Sequence, residues 1–508
     1  MAKKQVAVID IGSSYIRMKI FEDKKSSIKE LEHLEMPLYL GHDTFKDGQI
    51  SFQRVDKLCD ILNSYKKLAN SYGLNKVHTY ATTAFREALN KEYVIELVKL
   101  RTGIDIAILD DLEEKTMIYQ EIKRILNGKI KNGVMTYVGS GSLGIAVVEK
   151  GLIKYSQNIR IGSLKLSEIL EPVQGYTKKF HVIVEQYINT FIDVLGNFVK
   201  ITKQNEFIAT GKEISIIGKI LGEQQGKRQF KISRNTYNNL YDTIKQLTSE
   251  QISEKHSISL ELAETLIPSM AMFKILMDFS SADSFVGYDI SLCDFIGFKE
   301  LHPNKFKELT ASFYEDVMNQ ARYIALRFSY DKNHAAAVLD YSLKIFDSIK
   351  EIHGLNDRHR LLLSVSCILH DTGKFLNLKS HYQHSYNVIR NLEIAGLSNE
   401  ELEIIANISK YHSDFSPSIY DDNYKELSLE NRMLVSKLSA IIKLGDSLDK
   451  SHLQKFSNLN IDFKENVLKV NCTFKEDITL EEWAFENKSV FFNNVYGIKA
   501  LLLKERLM

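Results

Sequence analysis

Branched and apolar residues flank Gly12-Ser13-Ser14 on both sides in QVAVIDIGSSYIRMKIFED, a pattern that predicts a β-hairpin over residues 5–22. A further strand pattern follows, then helical periodicity near 54–72, a strand at Val77–Ala81 and a helix from about Thr83. Ile104–Leu109 reads as a strand and Leu112–Leu126 as a helix. At Gly133 the opening pattern returns, because GVMTYVGSGSLGIAVVEK is again apolar strand, Gly-Ser turn, apolar strand. Laid together, Ile11-Gly12-Ser13-Ser14 falls on Val138-Gly139-Ser140-Gly141 and Asp10 stands opposite Tyr137. Mixed strand and helix continues to about 300, where LHPNKFKELT places Pro303 just before a helical region. From there to about 457 the chain is almost wholly helical, and the tail NLNIDFKENVLKVNCTFKED alternates as short strands do. The expected domains are 1–131 and 132–300 (two related α/β lobes), 301–457 (all-α) and 458–508 (a small α+β appendage).

At 508 residues the chain is too long for one core. Its 44% hydrophobic and 26% charged residues are the balance of a soluble globular protein. A formal charge of +1 demands neither a nucleic-acid partner nor an anionic membrane. Lys227, Arg228, Lys231 and Arg234 form a local basic stretch, with a solvated loop as the plainer account. Cys59, Cys293, Cys367 and Cys472 are far apart and form no CxxC pair, as in reduced, cytosolic proteins. Asp10 interrupts the first apolar run before a signal-peptide core could form, and no run approaches the roughly 18 residues of a membrane span. A cytoplasmic protein is expected.

Hairpin turns can present clustered backbone N–H groups that cradle phosphate oxygens. Two such turns, one domain apart in sequence, would face each other across one cleft. AVIDIGSSYIRM, LGHDTFKDGQIS, TYATTAFREALN, ILDDLEEKTMIY, RIGSLKL and TLIPSMAMF occur in the order of motifs in the exopolyphosphatase / guanosine pentaphosphate phosphohydrolase (Ppx/GppA) family, which this chain resembles. The resemblance implies a two-lobed actin-like (ASKHA, ribonuclease H-like) fold. It implies that Glu114 is the catalytic base, that Arg86 steadies the phosphate, and that Asp10, Gly12, Ser13, Gly139, Ser140, Gly141 and Ser142 line the cleft, with Mg²⁺ near Asp10. The residues by themselves leave other roles open. Asp111 to Glu114 spells D-x-x-E, so Glu114 could be the N3 partner of a helix cap, and Arg86 could pair with an exposed carboxylate.

The chain also departs from the family pattern. Tyr137 stands where the family's second loop carries a metal-holding aspartate, and Gly144 where it carries a glutamate. A phenol is normally neutral and a poor magnesium ligand. ATGKE (Ala209 to Glu213) replaces a Gly-rich loop, and Lys165 replaces an arginine. Glu149 or Glu213 could supply a substitute carboxylate.

Seven of the chain's 14 histidines lie between 334 and 412. The order His334, His370-Asp371, His384, His412, Asp446 resembles the HD metal-dependent phosphohydrolases. The resemblance implies one ion on His334, His370, Asp371 and Asp446, and a second on His384 and His412 with Asp371 bridging. Imidazole and carboxylate together suit manganese, iron or zinc. Lys374, about a helical turn beyond Asp371, could contact a phosphate there. An HD pair can also be purely structural, and His353, His359 and His381 are given no role. The expected function is release of terminal phosphate from polyphosphate or guanosine pentaphosphate in the interlobe cleft. The alternative is a phosphate- or nucleotide-sensing cleft coupled to a hydrolytic HD site, and a third reading is a binding protein with neither site active. No nucleic-acid or membrane partner is expected, and a homodimer is.

Overall fold

The computed structural model describes residues 4–25, 27–174, 179–199, 206–223 and 229–506. The chain divides into two compact units, 1–316 and 317–508.

In the first unit, β1 (Gln5–Ile11), β2 (Tyr15–Lys24), β3 (Ser27–Pro37), β4 (Val77–Ala81) and β5 (Ala107–Ile108) form a sheet ordered β3-β2-β1-β4-β5. The hairpin pair is antiparallel, and β4 and β5 join parallel to β1 and to each other. β6 (Gly133–Val138), β7 (Leu143–Glu149), β8 (Leu152–Ile159), β9 (Glu206–Thr210), β10 (Gln229–Ser233) and β11 (Ser284–Tyr288) form a second sheet, ordered β10-β11-β9-β6-β7-β8. Read from β8, the order β8-β7-β6-β9-β11 repeats the first sheet with the same parallel and antiparallel joins. The internal repeat of the sequence is therefore a repeat of topology.

β1 is apolar at nearly every position because both of its faces are covered. Ala7, Ile9 and Ile11 pack with Leu58 and Leu62 of the helix Phe52–Ser71, while Val6 and Val8 pack with Phe295 and Ile296 of the helix Leu292–Leu301. The strand expected over Ile104–Leu109 pairs only at Ala107 and Ile108, yet Ile104 and Ile106 still enter the core.

The helix Pro303–Arg327 carries the division between the units, which falls at 316 and not near 300. Asp316 explains the shift. It is fully buried, accepts from Lys123 Nζ and from the Ile153 amide at 2.7 Å, and so ties the middle of that helix to the first unit.

The second unit contains the helices Lys332–Ser348, Asp357–Leu369, His381–Ile389, Asn399–Lys410 and Leu429–Ser447. β12 (Phe456–Lys464), β13 (Val467–Phe474) and β14 (Lys499–Arg506) make its sheet. The helix Thr479–Tyr496 buries Phe485 and Phe492, and Tyr496 donates to the Lys437 carbonyl at 2.8 Å. The tail is thus part of the second unit's packing.

Lys227 and Arg228 lie outside the described residues, and Arg234 is committed to Asp278 at 2.6 Å. All four cysteines are buried and free. Among the described residues no helix is long and apolar enough to cross a membrane.

The two lobes of the first unit come close at Gly141. A Cβ there would lie 2.5 Å from Thr83 Cγ2 and 3.0 Å from Phe45 Cζ. Gly141→Ala is expected to destabilise the first unit by about 1–3 kcal/mol through overpacking, read as a lower urea midpoint. An unchanged midpoint would show that the lobes do not meet here.

Candidate active-site cleft and a histidine–aspartate cluster

The two Gly-Ser turns share one geometry. Gly12 donates its amide to the Tyr15 carbonyl at 2.9 Å, and Gly139 donates to the Ser142 carbonyl at 2.9 Å. The turns meet where Ser14 Oγ donates to Ser140 Oγ at 2.8 Å. Among the described residues, the amides of Ser13, Ser14, Ser140 and Gly141 have no protein acceptor. They border a cavity of about 160 Å³ that Asp10, Glu114 and Tyr137 also line. Clustered N–H donors of this kind suit an anionic oxygen.

Glu114 reaches this cavity because it is not a capping residue. The capping box of the helix Asp111–Leu126 is formed by Asp110, which accepts the Glu113 amide at 2.7 Å, and by Glu113, which accepts the Asp110 amide at 3.3 Å. The D-x-x-E box therefore starts one residue earlier than Asp111, which leaves Glu114 one step round the helix. Its side chain is buried, with Lys115 Nζ at 3.0 Å and Arg86 Nη1 at 3.4 Å. Burial by itself raises a carboxyl pKa, but the Lys115 and Arg86 cations more than offset it and hold Glu114 below the usual range. It is a buried carboxylate, ionised and held in place.

Arg86 stands behind Glu114 and does not line the cavity. Its guanidinium donates to the Leu109 carbonyl at 2.7 Å, to Thr83 Oγ1 at 3.0 Å, and to Asp111. The resemblance implies that Arg86 steadies phosphate; in the structure its guanidinium is turned to Asp111 and Glu114. Lys165 pairs with Glu87 at 2.6 Å. Glu213 lines the same cavity and accepts from Ser163 Oγ at 2.6 Å, whereas Glu149 pairs with Lys154 at 2.9 Å away from it.

Burial pushes the Asp10 carboxyl up, Arg17 at 3.6 Å pulls it back in part, and Glu114 and Glu35 push it further, to about 6. Burial keeps the Tyr137 phenol neutral, its pKa raised well above normal, and both Glu114 oxygens already face cations. Magnesium takes carboxylate and water oxygens, and Glu35, Glu213 and Asp289 border the same cavity beside Asp10 and Glu114.

The second unit holds a different chemistry. His370 Nε2 lies 3.3 Å from His334 Nε2, and Asp446 Oδ1 is 3.3 Å from His334 Nε2. Asp371 Oδ2 is 3.4 Å from His370 Nε2. On the other side, His381 and His412 Nε2 are 3.4 Å apart, each 3.6 Å from Asp371 Oδ1, a buried oxygen with no hydrogen-bond donor. Asp371 therefore spans two imidazole pairs.

Each ring has its Nδ1 fixed by an acceptor. His334 donates to Asp449 at 2.9 Å, His370 to the Cys367 carbonyl at 2.9 Å, His412 to the Ser409 carbonyl at 2.5 Å and His381 to the Leu378 carbonyl at 3.3 Å. Because these oxygens can only accept, the Nδ1 atoms carry the protons and the Nε2 atoms turn inward. That is the orientation metal-ligating histidines take. Burial opposes charge on His334, yet its bonds to Asp446 and Asp449 hold its pKa up to about 9, a proton it must yield to bind a cation. Burial and neighbouring His370 push His412 well below normal. The donor set fits a divalent transition metal.

The cluster differs from the expected set at His384, His381, His452 and Lys374. Neither His384 nor His381 joins the three-residue ligand groupings, but His381, three positions earlier on the helix His381–Ile389, lies 3.6 Å from Asp371 Oδ1. His452, stacked on His334 at 3.6 Å between ring centroids, groups with His334 and Asp371. Lys374 does not project into open space but pairs with Asp371 Oδ2 at 2.6 Å. Lys488, from the tail helix, donates to Asp446 and to the His412 carbonyl at 3.2 Å. His353 and His359 bind backbone groups, as structural histidines do.

Asp10 gives the cleft a pH signature. A carboxyl whose folded pKa exceeds its unfolded value costs stability above about pH 4, and the cost is complete above about pH 6. Asp10→Asn is expected to raise the thermal midpoint at about pH 7.5 and leave it nearly unchanged at about pH 4. A midpoint that falls at the higher pH would mean that ionised Asp10 stabilises the cleft.

Against known proteins, residues 19–285 match the Ppx/GppA phosphatase family and residues 318–489 match Ppx/GppA phosphatase domain III. A guanosine-5'-triphosphate,3'-diphosphate pyrophosphatase of Photobacterium profundum is 20% identical over 85% of this chain and 84% of its own length. Exopolyphosphatase 1 of Mycobacterium leprae is 20% identical over 52% of this chain and 79% of its own. The crystal structure of an exopolyphosphatase from Cytophaga hutchinsonii superposes with a TM-score of 0.53 at 17% identity, covering 59% of this chain and 98% of that one. The repeated sheet order is that of the two-lobed actin-like fold shared with this neighbour. The chain belongs to the Ppx/GppA phosphatase family.

Proposed function

We propose that the cleft of the first unit removes the terminal phosphoryl group of polyphosphate or guanosine pentaphosphate, with Glu114 as the base that takes a proton from the attacking water. The supporting observation is the placement of Glu114. It is released from helix capping by the Asp110–Glu113 pair, ionised, and set in a cavity that four unpaired turn amides also border. Phosphoryl transfer asks a protein mainly for positioning and for donors to the equatorial oxygens. The turn amides supply such donors, and Arg86 and Lys115 fix the carboxylate. The relatives named for exopolyphosphatase and for guanosine pentaphosphate hydrolysis set the two substrate classes to test.

The cluster of the second unit favours a second reading, in which hydrolysis occurs there and the cleft senses ligand. The orphaned Asp371 oxygen and four inward imidazoles are the observation behind it. Divalent manganese, iron or zinc, when bound, would acidify a water and clamp a phosphate. His334, His370, Asp371 and Asp446 would hold one ion, and Asp371, His381 and His412 a second.

Phosphate release from both substrates, with magnesium and with manganese, separates the readings. Glu114→Gln is expected to cut turnover by about 10²–10⁴-fold, the usual worth of a general base, while Asp371→Ala leaves it within a few-fold. The opposite pattern in folded protein would move the chemistry to the second unit.

Metal analysis of purified protein tests the ligand set independently. His370→Ala and His381→Ala are expected to lose manganese, iron or zinc, with affinity down about 10–100-fold, whereas His384→Ala keeps it. Loss with His384→Ala alone would restore the ligand set expected from sequence.

A further inference from the structure

Lys212 opens the helix Lys212–Ile220, just after β9, and lines the cavity that Asp10 and Glu114 border. Gly211 places it. That residue has φ +130, and a Cβ there would lie 2.2 Å from the Val138 carbonyl oxygen. Glycine therefore lets the helix start against the strand that leads into the second turn. From this point Lys212 Nζ crosses to the first lobe, donates to Glu35 of β3, and stands 5.0 Å from the centre of the Tyr15 ring. Glu35 and Tyr15 line the same cavity. Two other side-chain pairs that join the lobes, Lys165–Glu87 and His42–Glu168, have no member in its wall. The position is a poor one for a lysine in its own right, since a cation in the first turn opposes the helix dipole. Glu35 has a second partner, because Arg17 Nε lies 3.2 Å from its other oxygen. Burial raises the Glu35 carboxyl, but Arg17 first and Lys212 after it hold it below the usual range. Glu35 thus keeps its larger counter-charge when Lys212 leaves.

We infer that Lys212 is a phosphate-binding residue, and that its pair with Glu35 latches the two lobes across the cavity until a phosphate chain in the cleft takes the ammonium from Glu35. This rests on the reading of the cleft as a phosphoryl site and names a residue that grips the chain there. The exchange swaps one oxyanion for another. The ammonium keeps a charge-assisted bond, Glu35 keeps Arg17, and the incoming negative charge lies near a helix N-terminus, which favours it.

Calorimetric titration of the full-length protein with bis-methylene triphosphonate, in magnesium, tests this. The ligand has the form of tripolyphosphate, but water does not cleave its P–C–P bridges. Lys212→Met is expected to weaken binding about tenfold or more, as loss of a charge-assisted contact does. Glu35→Gln, which releases Lys212, is expected to tighten it about threefold or more, because the competing closed state is removed. With Lys212→Met already present, Glu35→Gln is expected to change affinity by about twofold or less. A folded Lys212→Met that binds as wild type, or an equal gain from Glu35→Gln in both backgrounds, overturns the inference. Should Lys212→Met fail to fold, Lys212→Gln takes its place, and a Glu35→Gln protein that binds no tighter than wild type overturns the latch by itself. The expected variant pattern with no phosphate release from tripolyphosphate overturns the hydrolytic reading but leaves Lys212 as a phosphate-binding residue. No binding by either wild type or Glu35→Gln overturns both.

Discussion

The first unit depends on how closely two glycine turns can approach. Ser14 and Ser140 touch through their hydroxyls, and Gly141 leaves Thr83 no room for even a methyl group on its partner. Dense packing makes such an approach all-or-none, since a side chain of one carbon forces neighbours to move. Four amide donors then border one cavity, and a helix that starts beside them delivers a carboxylate to the same place.

The same repeat solves its charge problem in two ways. In the first sheet Asp10 pairs across the ladder with Arg17, and the guanidinium 3.6 Å away offsets the burial of the carboxylate in part. In the second sheet the equivalent ladder pair is Tyr137 and Gly144, with neither charge. The cation arrives instead from the helix Asp111–Leu126, as Lys115 crosses the gap that Gly144 leaves. One hairpin carries its counter-charge on the neighbouring strand and the other borrows it from a helix. A buried carboxylate is tolerable only when compensated, and this arrangement compensates Glu114 twice.

Local patterns made the elements of the first unit legible. Hairpins at Gln5 and Gly133, the strand Val77–Ala81 and the helix from Asp111 all follow from periodicity and turn chemistry. What the pattern could not fix was register of one residue or one helical step. Asp110-x-x-Glu113 and Asp111-x-x-Glu114 are the same motif on paper, and only the backbone bonds at 2.7 and 3.3 Å select the first. His381 and His384 likewise share a helix face, and the packing of that helix brings the earlier ring to Asp371. Lys115 left no signal at all, because its partner Ser142 is 27 residues away and its meaning depends on a glycine.

The tail shows why sequence proximity understates function. Alternating strands suggested an appendage, yet the helix between β13 and β14 inserts Lys488 between Asp446 and the His412 carbonyl. A buried ammonium there balances the carboxylates of the cluster in the same currency that a bound cation would use, and it lowers the pKa of neighbouring Lys443 to about 8, after burial itself. In both units a buried carboxylate is held by a lysine that the local motif does not include. Selection on a charged, buried site acts on the whole electrostatic neighbourhood, so the residues that make such a site workable are set by packing and not by the motif that announces it.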